Sequence, residues 1–520
     1  MDILYNNKAV TRSRRIQFIK GVVADFGSTF LIILTGLIVT PVILSYLSDV
    51  NYGLWMTIVQ IIGVLSVMEM GTALAVTHRS ANSSLIANHE AFSRLMTTCI
   101  VLQFLTAVVI LVSGLILAKP LFSWFKMDAS YVSSFMPAYY LMLVWFSISL
   151  MIGLFPALIT GRQKIAQAHV MNAMMLFIST VAVVPFLALG VSVLAFPMAQ
   201  WLAGLTGVIF AYIYLRRYVP PFSIRVFAIR YEDVKEIFIF SFYGWLGKIG
   251  FIALSTGDNI IISGLLGPAS VTPFLLTSRF SYLLAGNMPK LSSSSFAGFS
   301  ELYATHNYER LQANSLWLFR LSVRVACLGS VLVALCTERF VGLWVGPQYF
   351  VGTTFAYLLG CLCFRDTIIK SIGIIILASG DVRGLCLSVL IEGVVKIALV
   401  MLLIFYLHFG LIALVLGQFL STAFISGIYY PLKVCRLTKL SGAKLLKEGF
   451  ARVILKSSPS MGLVMLTPLV PIAWGWGGLI LICVAAFFAN ILCFEVPAMM
   501  SASDSSWKNR FTLALRSNFP

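Results

Sequence analysis

Long apolar runs alternate with short polar breaks from one end of this chain to the other. Runs of spanning length fall at about 22–46, 52–76, 95–118, 134–159, 170–190 and 193–215, then at about 237–262, 271–293, 316–337, 351–378, 384–407 and 411–431. A last pair follows at about 459–476 and 478–500. An α-helix needs about 20 apolar residues to cross a hydrocarbon layer about 30 Å thick. The pattern therefore predicts an all-α polytopic membrane protein with fourteen transmembrane helices, grouped six, six and two. The predicted organisation is an N-terminal segment (1–20), a six-helix lobe (21–216), a basic linker (217–236), a second six-helix lobe (237–432), a basic amphipathic segment (433–457), a helix pair (458–500) and a tail (501–520). The stretch LSYLSDVNYGLW after the first run and SGLLGPASVTPFLL after the seventh hold corresponding places. Such a correspondence suits two pseudo-symmetric halves with a substrate site between them.

The polar breaks carry their cations unevenly. Arg79, Arg94, Arg162, Lys164, Arg216, Arg217, Arg225, Arg230, Lys235, Arg310, Arg383 and the seven cations between Lys433 and Lys456 all fall on one side, whereas the other side holds only Lys119, Lys126 and Arg339. By the positive-inside rule the cation-rich side is cytoplasmic, and both termini with it. The first apolar run is too long for a signal-peptide core and has no small-residue cleavage site after it, so a retained cytoplasmic start is expected. Within 444–456, Leu446, Phe450 and Val453 recur at helical spacing among lysines, which predicts a short helix lying on the inner leaflet. Trp507, Phe511 and Leu515 suggest the same for the tail.

Composition sharpens this picture. The 520 residues are 59% hydrophobic and only 11% charged, with mean hydropathy +0.94. The net charge of +18 does not point to nucleic acid, because the cations lie in loops of one side and inside the second half, with no basic domain. The nine cysteines sit in or beside apolar segments and lack metal or redox spacing. No GxxxxGK[ST] or HExxH motif occurs, and the five histidines stand singly. No cofactor or metal is expected; the driving force would be an H+ or Na+ gradient, the membrane potential or the substrate gradient.

The candidate chemistry lies in charges buried within apolar runs. The stretch 242–290 reads as a helical hairpin turning at Gly267 and Pro268, yet carries Lys248, Asp258, Arg279 and Lys290. At about 1.5 Å rise per residue, Lys248 lies roughly 16 Å and Arg279 roughly 12 Å from the helix starts, too deep to snorkel easily. Asp258 and Lys290 are nearer helix ends and are expected to snorkel. The first half holds only Asp25 and Glu69 within its spans, whereas the second adds Arg320, Arg324, Arg365, Lys370 and Lys396 with Asp366 and Glu392. Asp366 with Lys370, and Glu392 with Lys396, are four apart and can pair locally. Lys290 and Arg320 can reach the cytoplasmic interface. Lys248, Arg279, Arg324 and Arg365 are left as candidate cavity cations, at a cost on the order of 10 kcal/mol if bare. An anionic ligand would meet them, and arginine suits phosphate through its planar fork. The structural alternative is that Asp25, Glu69 or Asp258 pairs with them between the lobes; the same carboxylates are candidates for ion coupling.

These residues also carry a family resemblance. DVNYGLW at 49–55, MEMGTALAVTHRSA at 68–81, DNIIISGLLG at 258–267, FVGLWVGPQY at 340–349 and ILASGDVR at 376–383 resemble the polysaccharide-exporter branch of the multidrug/oligosaccharidyl-lipid/polysaccharide (MOP) superfamily, which includes Wzx-type O-antigen flippases. The resemblance implies a two-lobed transporter in the bacterial inner membrane. Its substrate would be an undecaprenyl-pyrophosphate-linked oligosaccharide, moved to the outer leaflet by alternating access, with membrane lipids and a polysaccharide polymerase machinery as partners. It also implies that cavity cations hold the pyrophosphate, the matching positions by helix and depth being Lys248, Arg279, Arg324 and Arg365. A multidrug or organic-cation antiporter of the same fold is the alternative, disfavoured by the cation excess. A membrane polysaccharide polymerase or ligase would need titratable groups on the outer face, where the loops are short and poor in them.

Overall fold

The computed structural model describes residues 27–69, 71–80, 88–125, 129–162, 164–218, 223–225, 229–293, 295–465 and 474–500. Asp25, the Lys290 side chain and the 501–520 tail lie outside the described residues. Among those described, every regular element is a helix. Ten helices are long and apolar enough to cross a membrane: Gly27–Tyr46, Asp49–Met68, His89–Trp124, Val132–Gly161, Ala166–Ala188, Ser192–Arg217, Tyr308–Trp344, Val382–Phe405, Ile412–Thr438 and Gly475–Leu492. An eleventh forms if Tyr231–Ile239 and Ser241–Thr256, bent by 46° against each other, count as one span.

Fourteen spans were expected, and the remaining three positions are occupied by helices of another character. Val271–Ser293 carries Arg279 and many hydroxyls, and Thr353–Ala378 carries Arg365, Asp366 and Lys370 near its middle. Arg452–Val464 is 13 residues long, and 466–473 lies outside the described residues. The chain departs from uniform apolarity where the intramembrane charges are.

By contact the chain divides into two compact units, one of Met1–Leu275 with Val382–Gly417, the other of Leu276–Asp381 with Gln418–Pro520. This grouping places Tyr231–Phe251 and Val382–Phe405 with the first unit, whereas the sequence grouping divides the former between linker and second lobe at 237 and puts the latter in the second lobe. We label the elements that position the site α1 (Asp49–Leu65), α2 (Thr72–Ser80), α3 (Tyr231–Phe251), α4 (Asp258–Leu265), α5 (Val271–Ser293), α6 (Tyr308–Trp344), α7 (Thr353–Ala378), α8 (Val382–Phe405) and α9 (Gly475–Met500).

Lipid tails are as apolar as leucine, so membrane helices associate through close packing and polar contacts rather than by escaping water. The first unit uses both. Trp55 stacks on Phe196 with ring centroids 4.6 Å apart, and the buried Tyr139 hydroxyl donates to the Gly114 carbonyl at 2.8 Å. Helices α3 and α8 touch through glycines: a Cβ on Gly250 would lie 2.5 Å from the Val389 carbonyl, and one on Gly393 would lie 2.8 Å from the Gly250 carbonyl oxygen. Helices α1 and α4 share a polar seam, with Thr57 and Ser263 hydroxyls 2.6 Å apart and the Asn259 amide donating to Gln60 Oε1 at 2.9 Å.

In the second unit the 37-residue α6 packs along α7, where a Cβ on Gly360 would lie 2.7 Å from the Ser330 carbonyl oxygen. Phe280 of α5 stacks on Phe340 of α6 at 4.9 Å, and Thr277 accepts from the Val351 amide while donating to the Tyr349 carbonyl.

Candidate functional site

The expected second span is interrupted. Helix α1 stops at Leu65, a 3₁₀ turn covers Ser66–Met68, and the chain resumes as α2 at Thr72. Gly71 has φ +79°, a conformation that glycine adopts without a Cβ penalty, and a Cβ there would lie 2.9 Å from that of Ser241. Broken backbone inside a membrane is tolerated where protein or water satisfies its polar groups. Here one face of α3 does so: Trp245 Nε1 donates to the Val67 carbonyl at 2.6 Å and Ser241 Oγ to the Gly71 carbonyl at 3.1 Å. Three residues on from Trp245, Lys248 Nζ donates to Glu69 Oε2 at 2.7 Å. Lys248 is not partnerless, as expected from local spacing, but is joined to a carboxylate of the first helix group. The pair is only half buried, with side-chain exposures of 30% and 18%.

Asp258 corrects the expectation that it snorkels. Its side chain is 3% exposed and forms a 2.5 Å ion pair with Lys396, which is fully buried. The cause is the backbone just before it. Residues Ile252–Thr256 form a π-helical turn, in which the Gly257 amide bonds the Ile252 carbonyl five residues back. The shifted ladder offers the Leu254 carbonyl to Lys396, whose ammonium donates to it and to Asp258 together. Both partners belong to the sequence range 237–432, so this pair does not join the two predicted lobes.

The cations of the second unit are mostly engaged. Arg365, 8% exposed, donates to Asp366, to the Gln418 carbonyl at 2.5 Å and to the Phe419 carbonyl at 3.0 Å, with the Phe419 ring 5.7 Å from its guanidinium carbon. Asp366 also holds Lys370 at 2.9 Å, the expected pair four residues apart. Arg324 donates to the Asn490 side chain at 2.7 Å and to its carbonyl at 2.9 Å, which fastens α6 to α9. Arg320 holds Glu448 at 2.6 Å. Arg279 differs: its Nε is buried and has no hydrogen-bond partner among the described residues. The adjacent Ser278 hydroxyl is likewise buried without a partner there.

Sequence reasoning missed Ser241 and Trp245, although their spacing to Lys248 places all three on one helix face. It also missed the Lys396–Asp258 pair, for which no local signal exists because the partners are 138 residues apart. Among the described residues no group of His, Cys, Asp and Glu could hold a metal ion.

The family model described as polysaccharide biosynthesis protein matches residues 18–287, a span that contains the broken helix, Lys248, Asp258 and Arg279. The chain belongs to this family. Among curated proteins, the membrane protein EpsK of Bacillus subtilis (strain 168) is 21% identical over 241 residues. That match covers 46% of this chain, and the chain spans about half of EpsK's length, 48%. Among solved structures, an inward-facing multidrug resistance MATE family transporter of the MOP superfamily matches with a TM-score of 0.64 at 14% identity, over 81% of this chain and 96% of that one. An outward-facing structure of a MATE family transporter gives 0.58 at 15% identity, over 81% and 96%. A MOP superfamily transporter from Pyrococcus furiosus, described as having a binding pocket of reversed polarity, gives 0.57 at 14%, over 82% and 96%. At such identities the likeness shows the fold. The polysaccharide biosynthesis family member is thus an all-α, multi-pass membrane protein whose fold is similar to that of MATE family transporters.

Proposed function

We propose that this protein is a flippase that moves an undecaprenyl-pyrophosphate-linked oligosaccharide, the repeat unit of an O-antigen or related surface polysaccharide, across the bacterial inner membrane by alternating access. The observation that carries the reading is Arg279 of α5, whose Nε is buried with no hydrogen-bond partner among the described residues. A buried unsatisfied donor costs about 1–3 kcal/mol, more when charged, and is retained where a ligand completes it. A guanidinium offers a forked set of donors that matches phosphate oxygens. Within the first unit, Lys248, partly exposed beside the broken helix, is proposed in its own right as a contact for phosphate groups. Arg324 and Arg365 are assigned to holding the protein together, because main-chain carbonyls and Asn490 or Asp366 occupy them. The loop cations orient both termini to the cytoplasm. Coupling to an H+ or Na+ gradient belongs to the same proposal, with Asp25 and Glu69 as the carboxylates of the first lobe.

The test is made in a deletion strain, measuring carrier-linked oligosaccharide in the membrane together with surface polymer. The linked oligosaccharide should accumulate while polymer disappears, and Arg279→Ala, expressed at the normal level, should behave as the deletion does. Full export by Arg279→Ala would remove Arg279 from the site, and unchanged pools in the deletion strain would overturn the substrate. A second reading, a multidrug or organic-cation antiporter, is favoured by the MATE family neighbours. It expects the deletion strain to become more susceptible to toxic organic cations, which the flippase reading does not.

A further inference from the structure

Two ion pairs in the first unit differ in one respect that decides what each can do. The Lys396–Asp258 pair is sealed, at 0% and 3% exposure, so opening it would strand two charges in a low-dielectric interior. The Lys248–Glu69 pair, at the break just past the Asp49–Met68 span, is 30% and 18% exposed. Charges this exposed at the end of a span face water rather than lipid tails, so this pair is open to a soluble anion. Its neighbours make it dispensable to the fold. The break between α1 and α2 is already held by Trp245 on the Val67 carbonyl and by Ser241 on the Gly71 carbonyl, one on either side of Glu69. The Glu69 carboxylate can therefore leave Lys248 by side-chain rotation alone, with the backbone fixed.

We infer that Glu69 is a built-in counter-anion, which covers Lys248 when the site is empty and is displaced when a phosphate or pyrophosphate group binds there. The inference rests on the proposed function for its ligand class and adds a self-competition that sets affinity. An accessible ion pair is worth little on its own, so an incoming group with greater charge and several oxygens displaces it without a large penalty. The same competition lowers the affinity for the cargo and assists its release on the far side. It also rejects weakly anionic or neutral molecules, which cannot displace a carboxylate from the ammonium.

The experiment measures binding of inorganic pyrophosphate to the purified full-length protein by calorimetry. Glu69→Gln should bind about fivefold tighter than wild type, the equivalent of one accessible ion pair. Glu69→Asp, one methylene shorter, should fall between them. Lys248→Gln should bind more weakly, and adding Glu69→Gln to it should bring no further gain, because the carboxylate then has nothing to cover. The same gain with and without Lys248 would show simple charge repulsion and overturn the inference. Unchanged binding by Lys248→Gln alongside its loss in Arg279→Gln would overturn it too, while leaving the flippase reading intact. Failure of wild type and Glu69→Gln alike to bind pyrophosphate would overturn both. Thermal midpoints of the variants, expected within a few degrees of wild type, establish that each is folded.

Discussion

Replacing Lys396 by methionine keeps the stem of the side chain and deletes only its ammonium. Asp258 then loses its ion pair at 2.5 Å, and the Leu254 carbonyl, offered by the π-helical turn, loses its donor. Breaking a buried pair from one side costs about 3–5 kcal/mol, because the stranded charge has no water to turn to. That is a factor of roughly 150 to 5,000 in the folding equilibrium. Removing both charges together, as in Asp258→Asn with Lys396→Met, should recover most of the loss, since a buried pair replaced by neutral groups of similar size is often nearly neutral. The assay is a double-mutant cycle, with unfolding of the purified proteins followed by tryptophan fluorescence as a denaturing detergent is titrated into mild micelles. A coupling energy of about 2 kcal/mol or more is expected for residues in direct contact. Additive single effects, or a loss below about 1 kcal/mol for Lys396→Met, would refute the account of this pair as a sealed structural element.

Other substitutions test the packing and the break. Gly250→Val should force α3 and α8 apart, because its Cβ would meet main-chain atoms of Val389 and Leu390 at 2.5 Å, and should cost about 3 kcal/mol or more, seen as loss of monodisperse protein on gel filtration. Gly244→Ala, with its nearest neighbour at an ordinary 3.7 Å, should be tolerated in the same assay. Trp245→Phe removes one hydrogen bond at the helix break and should lower stability by about 1 kcal/mol, measured as the thermal midpoint, with transport retained. Arg324→Met should release α9 from α6, with faster amide exchange across 475–492 than in wild type.

The hydrophobic pattern located every helix that proves long and apolar enough to span, because a run of about 20 apolar residues has few other uses. It overlooked the break at 66–71, where the only charged residue is Glu69 and the flanking methionines and valines continue the apolar run. It singled out the mid-membrane charges, which stand out by their cost, but could not find their partners. Lys248 and Glu69 are 179 residues apart, Arg324 and Asn490 166 apart. Arg365 was misread for the opposite reason. Adjacent residues on a helix do not face each other, so spacing assigned Asp366 to Lys370 alone, whereas the long guanidinium stem folds back and shares that carboxylate. Only Arg279 keeps the character the sequence suggested for all four.

The Lys248–Glu69 and Lys396–Asp258 pairs also share an order of appearance. In both, the carboxylate comes first along the chain: Glu69 before Lys248, and Asp258 before Lys396. At a synthesis rate of roughly 5–20 residues per second, Asp258 leaves the ribosome roughly 7 to 28 seconds ahead of its lysine, and Glu69 waits longer still. The tie between α4 and α8 through Lys396 therefore closes only after α8 has been made, so this buried polar contact is a late one in the assembly of the first unit.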